Sequence, residues 1–155
     1  MTHETSAAER KHILDNTRSI AIVGASSNPA RASNFVITYL KSSVCDYRLY
    51  PVNPRETEIN GLTVYPSLED LPEVPDLVDV FRRPEDCPDI AREAVAAGAK
   101  TLWLQLGIVS DAAAEVAAAA GLDVVMNRCV KIEHARFAGG LHLAGFNTGV
   151  ISSRR

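Results

Sequence analysis

The chain has 155 residues, of which 46% are hydrophobic and 23% charged, with a net charge of −3. That length can bury a core without disulfides or metal, and that composition is an ordinary globular one. The acidic balance argues against nonspecific nucleic-acid binding, and the polar start "MTHETSAAERKHILDNTRS" has neither the apolar core of a signal peptide nor a membrane span.

Residues 4–16 read as a short helix with Ala7, Ala8, Ile13 and Leu14 on one face. "SIAIVG" (19–24) is a continuous apolar run ending at Gly24, the pattern of a parallel strand buried on both faces. "ARASNFVITYLKSS" (30–43) spaces Phe35, Val36, Tyr39 and Leu40 along one helical face. "YRLYPVNP" (47–54) is the second strand. Residues 59–75 hold a turn at Asn60-Gly61, a short extended piece and a short helix capped by Ser67.

The alternation then repeats. A strand at 76–82 leads into a helix over 83–99, with Pro84 in its first turn, Pro88 near that turn's end and Gly98 as C-cap. A strand at 100–107 precedes a helix at 110–121, opened by Ser110 and closed by Gly121; 122–128 is the last clear strand. Its alanine run, 112–120, reads as a tightly packed helix. About five main strands joined by helical crossovers predict an α/β fold, an open parallel sheet with helices on both faces. One domain is expected across 1–155, with an N-terminal helix and a short C-terminal extension. Cys45, Cys87 and Cys129 form no disulfide or metal pattern and read as reduced thiols of a cytoplasmic protein; no metal site is expected.

In such sheets ligands sit beyond the carboxyl ends of the strands. Those ends carry Gly24, Ser26, Ser27, Asn28, Asn53, Arg55, Arg82, Arg83, Gln105 and Arg128. The recurring arginines favour an anionic ligand. Gly24 permits a sharp turn, after which backbone N–H groups and the next helix can face phosphate, with Arg31 adding charge. The alternative is a plain strand-to-helix turn whose serines cap the helix. The G-x-G-x-x-G fingerprint of dinucleotide sites is missing. The second strand ends in Asn53-Pro54-Arg55, where NAD sites carry a ribose-binding acid. A phosphorylated adenosine ligand other than ordinary NAD fits this corner.

In order, "VGASSNPARASNFV", "YPVNP", "VDVFRRPE", "LWLQLG" and "RCVKIEHARF" resemble the small stand-alone CoA-binding proteins of bacteria. These are related to the CoA-binding domain of the succinyl-CoA synthetase α subunit. The resemblance covers roughly residues 15–137 and implies a Rossmann-like fold that takes CoA or acyl-CoA. It implies that Gly24, Ala25, Ser26, Ser27, Asn28 and Arg31 approach the CoA phosphates. Asn53 and Pro54 with Val80, Phe81 and Arg82 would border the adenine and phosphate region, and Gln105 the pantetheine path, while Arg55 and Arg83 are candidates from the strand-end rim alone. The synthetase's second domain, with its phosphorylated histidine, does not fit within this length. Asn127 stands where many relatives carry Asp.

The leading expectation is nonenzymatic binding of CoA or acyl-CoA for sensing or delivery, with no catalytic residue. One alternative is a small NAD(P)-linked oxidoreductase, or an acyl-CoA enzyme using Cys129 or His134. Another is an interaction module with a vestigial nucleotide pocket. Spacing assigns no base, oxyanion hole or orienter to "RCVKIEH", so it reads as a buried cysteine followed by a solvated segment. The residues name no protein partner; a homodimer is expected only if an apolar edge or helix remains uncovered.

Overall fold

Five short runs of apolar residues lie side by side as parallel strands in a computed structural model that describes residues 4–42 and 45–138. In chain order they are β1 (Ser19–Val23), β2 (Arg48–Val52), β5 (Leu77–Val80), β6 (Thr101–Leu104) and β7 (Asp123–Val125). A small antiparallel hairpin, β3 (Glu58–Ile59) and β4 (Leu62–Thr63), turns through Asn60 and Gly61, both at positive φ. The helices are α1 (Ala7–Asp15), α2 (Ala32–Leu40), α3 (Cys87–Ala97), α4 (Asp111–Ala119) and α5 (Val130–Ala138). The expected C-terminal extension lies outside the described residues.

The order across the sheet is β2-β1-β5-β6-β7, all parallel. The chain therefore reverses direction between β1 and β5, and a crevice opens there. Edge position explains how β2 tolerates Pro51, which cannot donate to a ladder. Both faces of the sheet are covered, as expected from its continuous apolar strands. Ala21, Val23, Val78, Val80, Leu102 and Leu104 pack on α3 and α4. Ile20, Ile22, Leu77, Trp103 and Val125 pack on the side of α1, α2 and α5. The alanine run packs as expected: Ala113, Ala114 and Ala117 are fully buried in the same cluster as Ala91 and Ala94 of α3.

Four local expectations are corrected. Ala7 and Ala8 are exposed; α1 instead buries Arg10, Ile13 and Leu14, and Ser6 and Glu9 form its capping box. Phe35 is 57% exposed, because α2 turns Val36, Ile37 and Leu40 to the sheet. Ser67 makes no side-chain cap bond; its hydroxyl meets Asp70 Oδ2 at 2.7 Å beside a single 3-10 turn. The segment after Cys129 is the helix α5 and is largely buried: Glu133, His134 and Arg136 are all inside. The remaining boundaries lie close to those expected, with Ser110 capping α4 through Ala113 N–H and Gly98 ending α3 in the left-handed conformation. No helix among the described residues is long and apolar enough to cross a membrane.

Candidate functional site

The crevice between β1 and β5 is shaped by Gly24, at φ +85°. A Cβ there would lie 2.6 Å from the Phe81 carbonyl oxygen and 2.9 Å from Arg82 Cδ. The two strand ends thus approach closely enough to exclude any side chain, which is the physical reason for a glycine at this position.

Two cavities flank this ridge. The larger, about 760 Å³, runs from Gly24, Ala25, Ser26 and Arg31 past Asn53, Phe81, Arg82 and Arg83 to Gln105 and Cys129. The smaller, about 600 Å³, lies on the β2 side between Asn53, Pro54, Arg55, Leu68, Arg82 and Ile90. Gly24, Asn53 and Arg82 line both. The larger cleft has four cationic side chains, Arg31, Arg82, Arg83 and Lys131, and neither a carboxylate nor a histidine among its lining residues. Such a surface suits a polyanion.

The turn after β1 is internally bonded. Ser26 N–H donates to Ser33 Oγ at 3.0 Å, and Ser27 N–H to Glu56 Oε2 at 3.0 Å. Asn28 N–H donates to Ser26 Oγ, and Ala30 N–H to Asn28 Oδ1. Side chains thus already hold the N–H groups of Ser26, Ser27, Asn28 and Ala30, which the expectation of open donors in this turn did not foresee. The serines also do not cap α2, whose N-cap is Arg31 with no side-chain cap bond. Asn53 knits the rim together, donating to the Ala25 carbonyl at 2.8 Å and accepting from Arg55 N–H at 2.8 Å. Ser27 and Asn28 are exposed at the turn and line neither cavity. Val80 also lines neither cavity; it is fully buried, and its carbonyl accepts Gln105 N–H.

Arg82 reaches Asp86 Oδ2 at 3.1 Å and remains half exposed; Arg83 is more exposed, 3.6 Å from the same carboxylate. Gln105 is only 4% exposed. Its Oε1 accepts Val130 N–H at 3.1 Å, fixing the start of α5 against the end of β6. Asn127 has positive φ, which Asn tolerates better than most residues, and its Oδ1 accepts Gly107 N–H at 2.7 Å. That bond ties together the loops after β6 and β7 and needs only an acceptor.

Sequence reasoning missed Phe35, Ile108, Lys131 and Ile132 in the larger cleft, and Glu56 on the turn. Phe35 carried a signal: it is an aromatic near the start of the helix that follows the end of β1, where the cleft opens. Cys129 and His134 are not brought together as one cluster. Cys129 lines the cleft, whereas His134 Nδ1 meets Tyr39 Oη at 2.8 Å and lies 3.8 Å from Cys45 Sγ. Burial lowers the His134 pKa and raises that of Cys45, so both stay neutral and form no charged thiolate–imidazolium pair.

Known proteins share this fold. A family model described as "CoA binding domain" matches residues 18–135. An uncharacterized protein of Bacillus subtilis, YneT, is 36% identical over 130 residues, 84% of this chain and 95% of that protein. A solved structure of a hypothetical protein from Pyrococcus horikoshii superposes with a TM-score of 0.83 at 37% identity, covering 87% of this chain and 94% of that one. The α subunit of an ADP-forming acetate–CoA ligase II from Pyrococcus furiosus is 39% identical over 62 residues. That match covers 40% of this chain and only 13% of the ligase subunit.

Proposed function

The chain belongs to the CoA-binding domain family, and on that premise we propose that it holds CoA or an acyl-CoA without turning it over. The whole chain acts in this reading as one binding domain for sensing or delivery. The adenosine half fills the smaller cavity beside Pro54, Arg55 and Leu68. The phosphates cross the Gly24–Arg82 ridge, and pantetheine runs along the larger cleft past Gln105 toward Cys129. The observation carrying this reading is that cleft: four cations, no acid and no histidine line it, at the reversal point of a parallel sheet. The same lining supports a nonenzymatic role, because it holds no carboxylate or histidine to act as general acid or base beside the ligand. Asn53, bonded on both sides, stands where NAD sites place a carboxylate, and so supports CoA over NAD.

Calorimetry of ligand-free protein with CoA, acetyl-CoA, NAD and NADP tests the assignment. CoA is expected to bind more tightly than NAD at equal ionic strength. Tighter NAD binding without a CoA site would overturn it.

Two variants probe the phosphates. Arg82→Ala should weaken CoA about tenfold, the lower end of a charge-assisted bond, because the side chain is half exposed and shared with Asp86. If Arg82 holds the 3′-phosphate, the variant should also lose most of its preference for CoA over dephospho-CoA. An unchanged preference would move Arg82 away from that phosphate. Glu56→Gln should act in the opposite direction. Its carboxylate occupies Ser27 N–H, a donor that an incoming phosphate would otherwise use. Removing that negative charge should tighten CoA by about 1 kcal/mol, roughly fivefold. Weaker binding in Glu56→Gln would mean that the glutamate orders the turn rather than competing for it.

A further inference from the structure

Cys129 is the cysteine that the fold delivers to the larger cleft. It is half-buried just before α5, between Arg128, whose carbonyl accepts Trp103 Nε1, and Val130, whose N–H is held by Gln105. Its position is therefore fixed from both sides by buried groups. Gln105 lines the same cleft, and the side-chain hydrogen bond it makes among the described residues is the one its Oε1 accepts from Val130 N–H, which leaves its carboxamide N–H₂ on the cleft side. The side chain as a whole is 4% exposed, and this amide faces the cleft that it lines. Phe35, Ile108 and Ile132 add apolar walls nearby, and Lys131 adds a cation. That end of the cleft suits a short polar amide arm with an apolar, uncharged tip.

Resting on the CoA reading, we propose that Cys129 is a thiol–disulfide exchange site for CoA, forming a mixed disulfide with the pantetheine sulfur. The reaction is balanced with a CoA disulfide as co-reactant. The Cys129 thiol loses its proton to solvent, and its sulfur attacks one sulfur of the disulfide. A Cys129–CoA bond forms, the original S–S bond breaks, and the second CoA leaves as thiolate and takes up a proton. One disulfide replaces another, with no net oxidation. Exchange fits this cleft better than acyl transfer. Attack on a thioester develops an oxyanion that needs aimed donors, whereas exchange develops no charge beyond the two sulfurs. The other thiols are poor competitors. Cys87 is fully buried and its thiol is pushed up to about 11 by burial, while Cys45 packs against Tyr39 and His134 and is also raised by burial.

The test mixes reduced, reductant-free protein with CoA disulfide, and in parallel with pantethine and oxidised glutathione. Intact mass and peptide mapping follow the products. The expected product is one CoA adduct at Cys129, reversed by dithiothreitol. It should form about tenfold or more faster than the pantethine adduct, because nucleotide binding concentrates the disulfide at the thiol. Arg82→Ala should narrow that ratio severalfold, and Cys129→Ser should give no adduct. Equal rates with all three disulfides, or first labelling at Cys45, would overturn the proposal. A titration of the wild-type protein with CoA in excess reductant separates the two readings. Binding there without an adduct in the exchange experiment removes the role of Cys129 alone; absent binding removes the CoA reading with it.

Discussion

Arg10→Met is expected to destabilise the fold by about 3–5 kcal/mol. Arg10 Nε donates to Glu133 Oε1 at 2.6 Å, with both side chains buried. The guanidinium also donates to the backbone and hydroxyl oxygens of Thr5. Glu133 Oε2 has no hydrogen-bond partner among the described residues, and Arg10 is the ion-pair partner of this carboxylate there. Methionine keeps most of the arginine's apolar stem and removes the charge, which leaves a carboxylate inside the protein without its ion-pair partner. For a chain of this length the loss corresponds to a fall in Tm of roughly 6–20 °C. The double variant Arg10→Met/Glu133→Leu should recover most of it, because neither buried charge then remains. Thermal unfolding of the three proteins provides the measurement. A single variant within about 0.5 kcal/mol of wild type would show that α1 contributes little to holding α5. The CoA-binding consequence is testable in the same proteins, since α5 begins at the cleft.

A second large effect is expected from Asp79→Asn, and it should depend on pH. Asp79 lies in the central strand β5, in register with Ile22 and Trp103, and its relative exposure is 0%. Neither carboxylate oxygen has a hydrogen-bond partner among the described residues. Burial raises its pKa well above the ordinary value, so the folded protein keeps this proton. Below about pH 4 the group is neutral in both the folded and unfolded chains, and the contribution to stability is complete. As pH rises, the unfolded chain ionises while the folded one stays protonated, and stability is lost until the folded pKa is passed. The slope from this one group reaches about 1.4 kcal/mol per pH unit.

Asparagine has no such titration. The stability of Asp79→Asn relative to wild type should therefore improve as pH rises from 4 towards 7, by up to about 1.4 kcal/mol per pH unit. Urea unfolding at several pH values within that range reads the difference directly. The constant effect of replacing a carboxyl by an amide cancels in that comparison. Parallel pH profiles would show that Asp79 ionises in the folded protein as it does in the unfolded one.

Both residues mark where local patterns stop being informative. "LVDVF" is legible as a strand, and Asp79 sits inside it without disturbing that reading. Only the packing of β1 and β6 on either side turns it into a buried carboxyl without a partner. "KIEHARF" carries four ionisable residues and reads as solvated. It is buried because Arg10, remote in sequence, reaches Glu133, and because Tyr39 and Cys45 meet His134. Helical periodicity likewise gave Phe35 an apolar face, since it records which residues share a side and not what covers that side. Here the cleft, rather than the sheet, lies against Phe35.

By itself the sequence determined the parallel α/β architecture, because strands covered on both faces must be apolar on both, and their alternation with helices leaves few connections. It also determined the rim, since parallel strands place all their carboxyl ends together. Glycine at position 24 and the arginines after β5 were legible there as a turn and a charge. Only the tertiary structure decided the order β2-β1-β5-β6-β7, and with it the approach of Gly24 to Phe81 and Arg82 that divides the two cavities. It also decided that Glu56 would hold the Ser27 N–H and that Cys129 would face the cleft while His134 turned toward Tyr39. These are contacts between segments far apart in the chain, and their geometry depends on how whole elements pack, which no short stretch of residues encodes.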